Sequence, residues 1–396
     1  HLSILLLVAR RLRIRGHEVL FAVKDPGSAQ HLLAEDGFRF VQCPRAPGNG
    51  TVYRDPVSFA DILAQAGFAD SGVLCSLVRA WQNLFNLYWP DVVVAQYAPT
   101  AKISAGLFGI PCLELAYGFE SPPDVAPFPC FRPWLNMSKE TLLKKEQIIL
   151  DNINQIRNRD SATRLANLQQ AMKSDLTLFA TFPEMDNYPG RTGGHFIGPL
   201  SITGDGVDIP WPEGGAFRVI AYLNPIRETV SILETLKDRG ASVIAIVPGM
   251  EESMRRTLSH EHIRIVGTRV KLSPLLTNSD LSVTHANHGT VAALLLAGVP
   301  LLMIPTTIER WTLSSAMERL GTGIAVTQNR INADFGTALD NLLSNSAFRS
   351  AAGRFATKYA DYDQECVLDR LVSTIERLPK WLQNKQSTTY PETTEP

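Results

Sequence analysis

Apolar residues follow two rhythms along this chain. Short, nearly continuous apolar runs recur at HEVLFAV (17–23), PDVVVA (90–95), IPCLELA (110–116), DLTLFAT (175–181) and FRVIAYL (217–223). They continue at ASVIAIV (241–247), HIRIVG (262–267), DLSVTH (280–285) and VPLLMIP (299–305). Between many of them lie segments with helical spacing, such as ETVSILETLKDRG (228–240) and TVAALLLAG (290–298). A strand covered on both faces has no side left for polar residues, so unbroken apolar runs point to central parallel strands. Their alternation with helices predicts an α/β protein, with parallel sheets carrying helices on both faces.

The opening, HLSILLLVARRLRIRG, places Arg10, Arg11, Arg13 and Arg15 after the apolar run, whereas a signal peptide places its basic residues before it. The run is also too short to span a bilayer, so it predicts a buried amphipathic helix closed by Gly16 and no transmembrane segment. Gly and Pro dominate GPLSITGDGVDIPWPEGGA (198–216), which favours neither helix nor strand. The expected organisation is a first domain over 1–198, a linker over 199–216 and a second domain over 217–379 that includes a C-terminal helix. A polar, disordered tail is expected over 380–396. Residues 136–172 form a long, charged, helical stretch inside the first half. Two such domains predict a cleft into which the carboxyl ends of the strands open, the usual ligand site of these sheets.

Composition narrows the function. The 396 residues are 45% hydrophobic and 19% charged, with a formal net charge of −1. That balance describes a globular protein without a general field for nucleic acid or anionic membrane. The five cysteines, Cys43, Cys75, Cys112, Cys130 and Cys366, are scattered and form no C-x-x-C pair. Neither a disulfide framework nor a zinc site is expected, and a reducing cytoplasm is the simplest setting. No G-x-S-x-G elbow, Walker loop or G-x-G-x-x-G is present.

The candidate chemistry sits in VTHANHGTVAALLLAGVPLLMIP (283–305). A strand ends at His285 and a helix begins near Thr290, so the turn lies at the carboxyl end of a parallel strand. The helix start offers free N–H groups and about half a positive charge, a ready anion site. Gly289 would let the backbone approach a phosphate, Thr290 can cap the helix, and His285 adds an imidazole N–H. Together they suit a diphosphate held without metal. A strand-to-helix turn can also carry Gly and Thr for packing alone.

His285-x-x-x-Gly289-Thr290 followed by VAALLLAGVPLLMIP resembles the donor motif of family 1 glycosyltransferases, nearest to the bacterial macrolide type and its UDP-glycosyltransferase relatives. Ile308-Glu309-Arg310-Trp311 resembles the family's acidic-Gln segment. KLSPLLTNSDLSV (271–283), which follows Val270, resembles the stretch bordering the nucleotide base. The opening helix with RGHEV, and FPEMDNYPGR with FIGPL, resemble parts of the N-terminal domain. The resemblance implies a GT-B fold, two Rossmann-like domains facing across a cleft. It also implies inverting, metal-independent transfer of a sugar from UDP or dTDP to a hydroxyl of a small, partly apolar or lipid-like acceptor, with no cofactor besides the donor. The donor would be held by Val270, His285, Asn287, His288, Gly289, Thr290, Glu309 and Arg310. Phe119 and Trp134 would meet the acceptor, and His1 would be the general base. Imidazole suits that task, because its pKa lies near operating pH.

The pattern is not followed throughout. Ala286 and Asn287 replace the usual glycines, Arg310 replaces a glutamine, and Asn224-Pro225 replaces Gly-Ser. Ile4 stands where the family has a proline. Relatives carry a strand and a Gly-rich turn ahead of the catalytic histidine, so the first domain is expected to lack a central strand. The aspartate that orients this histidine is replaced by Ala95 or Gln96, leaving Glu114 or Glu120 as candidate partners. That loss keeps open a silent homologue that binds nucleotide sugar or a partner protein, and a nucleotide-sugar epimerase or hydrolase. Asp361-Tyr362-Asp363 matches a metal-binding Asp-x-Asp but reads as a solvated helix face, and His260 and His262 read as surface residues. PPDVAPFPCFRPW (122–134) reads as a packed loop or the wall of an acceptor pocket.

Overall fold

The apolar runs become parallel strands, as their pattern predicts. The structure, a computed structural model, describes residues 2–46, 55–201, 206–268 and 270–387. It divides into two compact units, one of 1–181, 190–200 and 363–396, the other of 182–189 and 201–362.

In the first unit β1 (Leu20–Val23) pairs with β2 (Arg39–Gln42). A separate sheet takes β3 (Val93–Ala95), β4 (Cys112–Ala116), β5 (Leu176–Phe179) and β6 (His195–Phe196) in that order. The half-polar RFVQ of β2 and the two-residue β6 carry no apolar run, so periodicity does not reveal them.

The opening segment is the helix Leu2–Ile14, closed at Gly16 with φ 88°. Its Ile4, Val8 and Leu12 pack in one core with Leu368, Leu371, Val372 and Ile375 of the helix Gln364–Ser387. Two of the arginines that follow the apolar run serve this pairing: Arg11 meets Glu365 and Asp369, and Arg15 meets Asp369 and Glu376, while Arg10 and Arg13 bond to Asp36. The last helix, expected with the second domain, therefore packs with the first unit. It also runs through 380–387, where a disordered tail was expected; residues 388–396 lie outside the described residues.

The second unit holds β7 (Phe217–Tyr222), β8 (Ala241–Ile246), β9 (Ile263–Val266), β10 (Leu281–Thr284), β11 (Leu301–Met303) and β12 (Gly323–Ala325). They are ordered β12-β11-β10-β7-β8-β9 and pair in parallel throughout. Alternate residues of β7 face two cores: Ile220 joins Ile244 and Leu301 on one face, and Val219 and Ala221 join Val243 and Val283 on the other. After β9 the chain returns to lay β10 on the far side of β7, which makes β7/β10 a topological switch point. Ligands of doubly wound sheets bind beyond the carboxyl ends of such strands.

The described part of the expected linker is bonded to this unit. Val207 bridges Val270, Pro210 O accepts from Arg264, and Pro212 O accepts from the Ser242 hydroxyl. Asp361 and Asp363 lie in the break before the last helix, and Asp363 accepts from the backbone N–H of Glu365 and Cys366. That Asp-x-Asp is a helix cap, not a helix face.

Candidate donor site

The turn after β10 is built by three local requirements. β10 is wholly buried between β7 and β11, so His285 leaves the sheet fully covered, at 0% exposure. Ala286 then turns the chain in the left-handed region, with φ 57°. Asn287, in extended conformation, starts the helix His288–Leu296 without a side-chain cap. A left-handed alanine costs roughly 1–2 kcal/mol, the strain expected where a reactive turn is held by its surroundings. Ala286→Gly should raise stability by about 0.5–1 kcal/mol, the relieved strain less the added freedom of the unfolded chain. Denaturant midpoints would show the gain; a loss would mean that the alanine methyl, 1% exposed, matters more to packing than its φ.

Gly289 has no positive φ, and a Cβ there would meet only the Ser201 Cβ, at 3.8 Å. The protein's own packing does not demand glycine at this position, so its bareness leaves room for a ligand to approach. Thr290 lines a narrow apolar cavity with Tyr222, Leu272 and Leu276, which brings the segment after Val270 beside the helix start.

The two histidines are both covered but sit differently. His285 Nδ1 lies 2.9 Å from the Ile304 carbonyl, which can only accept, so Nδ1 carries the proton. Nε2 is buried and without a hydrogen-bond partner. His288 is 9% exposed, and burial brings its pKa down to about 3. Burial also lowers His285, helped by the charge of Arg310 and opposed by the Ile304 and Asn224 carbonyls and Glu228. Both are neutral in the folded protein near pH 7.

These shifts fix a sign. Below about 6.5 the unfolded chain protonates both imidazoles while the folded one resists, so stability present above 6.5 is lost as pH falls. His288, with its pKa at about 3, contributes up to about 1.4 kcal/mol per pH unit to that slope, and His285 adds in the same direction. His288→Leu should remove one proton's worth of slope between pH 6 and 4 in urea melts; an unchanged slope would show that His288 is not held neutral by burial.

Glu309 and Arg310 occupy the first turn of the helix Ile308–Leu320, capped by Thr307. Burial raises the Glu309 pKa, with Arg310 opposing, and no hydrogen bond to its carboxylate occurs among the described residues. Its backbone carbonyl accepts from Asn187 and Thr312. Arg310 Nη1 donates to Thr306 Oγ1 at 2.7 Å. Thus the segment leaving β11 holds both the imidazole, through Ile304, and the guanidinium, through Thr306. The Ile304 anchor carries no sequence signal, because it depends on the β10–β11 register, with Ile304 N–H donating to Thr284 O.

Other candidates are placed elsewhere. Val270 is 6% exposed with its side chain in the core, and its backbone pairs with Val207, so it is no ligand-facing wall. Phe119 is 2% exposed and stacked on Phe131 at 4.8 Å, which makes it core and not an acceptor contact. Trp134 is 52% exposed in the short turn Pro133–Leu135. His260 is exposed and His262 half-buried against the Glu213 carbonyl. His1 lies outside the described residues. Glu114 is committed to Lys102, Ser121 and Thr177, and Glu120 accepts from Tyr117 N–H and Gln96. The segment 122–134 contributes Pro122, Pro123, Asp124 and Phe128 to the lining of a cavity of about 170 Å³ in the first unit. Phe128, Met172 and Phe179 line it with Ser121, Thr177 and Arg191.

Among the described residues no helix is long and apolar enough to cross a membrane, though one bent pair, Phe59–Phe68 with Ser71–Tyr88, passes by length and composition. No group of three or more His, Cys, Asp or Glu side chains there is arranged to hold a metal.

Solved structures share this architecture. The spinosyn rhamnosyltransferase SpnG matches with a TM-score of 0.69 and 17% identity, over 94% of this chain and 96% of its own. SnogD from Streptomyces nogalater matches with a TM-score of 0.61 and 22% identity, over 94% and 96%. The fold is GT-B. Residues 230–371, which hold the turn after β10 and the Glu309 helix, match the erythromycin biosynthesis protein CIII-like C-terminal domain. The chain is similar to macrolide-type, family 1 glycosyltransferases. It is also 24% identical over 322 residues to a PGL/p-HBAD biosynthesis glycosyltransferase of Mycobacterium tuberculosis, covering 74% of this chain and 72% of that one. A PGL/p-HBAD biosynthesis rhamnosyltransferase of Mycobacterium bovis is 25% identical over 317 residues, covering 75% and 70%. SpnG has been solved with thymidine diphosphate and with spinosyn aglycone.

Proposed function

We propose that this protein moves a sugar from a UDP- or dTDP-linked donor to a hydroxyl of a small, partly apolar acceptor, with inversion and without a bound metal. The observation that carries the donor reading is the turn after β10. A buried imidazole nitrogen without a partner, a strained Ala286, an unfilled Gly289 and a helix N-terminus meet at the switch point of the sheet. Thymidine diphosphate bound to SpnG supports the nucleotide class. The cavity of the first unit sets Phe128, Met172 and Phe179 beside the hydroxyls of Ser121, Thr177 and Thr192 and the charged Asp124, Lys173 and Arg191, which suits an acceptor that is partly apolar. Its lining replaces Phe119 as the candidate acceptor surface. His1, from the family resemblance, is the proposed base, and a helix N-terminus takes the place of a cation at the leaving diphosphate.

The test is to incubate the protein with UDP- and dTDP-sugars, with and without a panel of phenolic and macrolide alcohols. Nucleoside diphosphate release, product mass and the anomeric configuration by NMR would be followed. Acceptor-dependent release with an inverted product, unchanged by a chelator, is expected. Donor binding without turnover would instead indicate a silent homologue, and release without acceptor would indicate a hydrolase.

A further inference from the structure

Arg310 is a partly buried cation without an ion-pair partner among the described residues. Among the described residues no carboxylate lies within ion-pair distance of its guanidinium, which donates to the neutral Thr306 hydroxyl. Only the charge of adjacent Glu309 opposes the cost of its burial. It also sits in the first turn of the helix Ile308–Leu320, where the macrodipole disfavours a positive charge. A cation kept against both burial and dipole is stabilised by an anion brought from outside.

The position of that anion follows from the anchors. Ile304 O holds His285, Thr306 Oγ1 holds Arg310, and the charge of Arg310 is felt at His285. One segment thus holds both side chains, and the guanidinium lies within electrostatic reach of His285, which precedes the helix His288–Leu296. His285 donates its Nδ1 proton to Ile304 O, and burial together with the Arg310 charge favours the neutral ring, whose Nε2 presents a lone pair. Glu228 and the Asn224 and Ile304 carbonyls favour imidazolium, while burial and Arg310 oppose it.

We propose that Arg310 is the cation that binds the donor diphosphate and takes up the charge of the leaving nucleotide, with His285 remaining neutral. This rests on the donor reading above. In the step it serves, the acceptor oxygen forms a bond to the anomeric carbon and its proton passes to a base. The bond from that carbon to the phosphate oxygen breaks, and its electron pair leaves with the nucleoside diphosphate. Guanidinium is charged at every working pH and matches phosphate oxygens with two parallel donors.

The experiment titrates UDP, dTDP and the parent nucleosides into the unmodified protein, Arg310→Gln and Arg310→Lys between pH 6 and 8.5, with melting curves to confirm folding. Arg310→Gln should weaken the diphosphates by about 10- to 100-fold, as loss of a charge-assisted bond does, and leave nucleosides unchanged. Arg310→Lys should recover part of the loss, and the unmodified protein's affinity should stay flat with pH. Diphosphate affinity within twofold in Arg310→Gln would overturn the proposal. So would an affinity in the unmodified protein that falls tenfold per pH unit above 6.5, which would make imidazolium the cation. A loss confined to the intact sugar nucleotide would overturn it too, placing Arg310 on the sugar. Failure of the unmodified protein to bind any diphosphate would remove the donor reading itself, and this assignment with it.

Discussion

Glu309→Ala should lower the rate of sugar transfer by about 100-fold or more, the loss of two hydrogen bonds to a charged group at ~1.5–3 kcal/mol each. Affinity for free UDP or dTDP should stay within twofold. The carboxylate is partly buried, its pKa is raised by that burial, and no protein donor among the described residues occupies it. A carboxylate held in this way is free to accept from hydroxyl groups of a bound sugar, which lie beyond the diphosphate. An acidic residue in the first turn also complements the helix macrodipole, so alanine costs about 0.3–1 kcal/mol of local stability. Glu309→Gln separates the two effects, because the amide keeps the size and one acceptor while losing the charge. Steady-state transfer rates together with calorimetric titration of the free nucleotide decide the matter. Transfer that survives within a few-fold in both variants would leave Glu309 with a purely structural role.

Lys102→Met should destabilise the first unit by about 3–5 kcal/mol, because it leaves a buried carboxylate without its cation. Lys102 and Glu114 are paired with side-chain exposures of only 4% and 2%. Glu114 is central to β4 and also accepts from the Ser121 hydroxyl at 3.0 Å and the Thr177 hydroxyl at 3.2 Å. The pair thus ties β4 to the helix Pro99–Leu107, to the loop after β4 and to β5. Removing both charges, as Lys102→Met with Glu114→Gln, should restore most of the loss, since the amide keeps both hydroxyl donors and no charge stays buried. Urea unfolding followed by intrinsic fluorescence gives both values. A loss under 1 kcal/mol in the single variant would mean that water or a rearranged side chain replaces the lysine. The same network answers the question raised by Ala95 and Gln96: Glu114 already has three partners, so it is not a spare acid for a catalytic histidine.

Much of this protein is legible in its sequence because the signals are local. Both faces of β8 and β10 are covered, so ASVIAI and LSVT had to be apolar or small throughout, and such runs are visible without coordinates. The Gly16 stop, the strand-to-helix turn at 285–290 and the α/β rhythm depend on residues near in sequence, and their motif spacing carries the family resemblance. Strands β2, β6 and β12 escaped because RFVQ, HF and GIA lie in no long apolar run, whereas β11, equally short, lies within VPLLMIP. The burial of Phe119 and Val270 could not be read either, since aromatic and β-branched residues look the same on a pocket wall and in a core. Only the tertiary structure decided which proton His285 carries, where Arg310 is held, and that the last helix packs on the first. Two of those outcomes rest on contacts between residues far apart in sequence, Ile304 with His285 and Leu371 with Val8, while Arg310 is held by Thr306 through a side-chain rotamer that spacing does not report. Periodicity reports which face of an element is buried; what lies against that face is set by the folded chain as a whole.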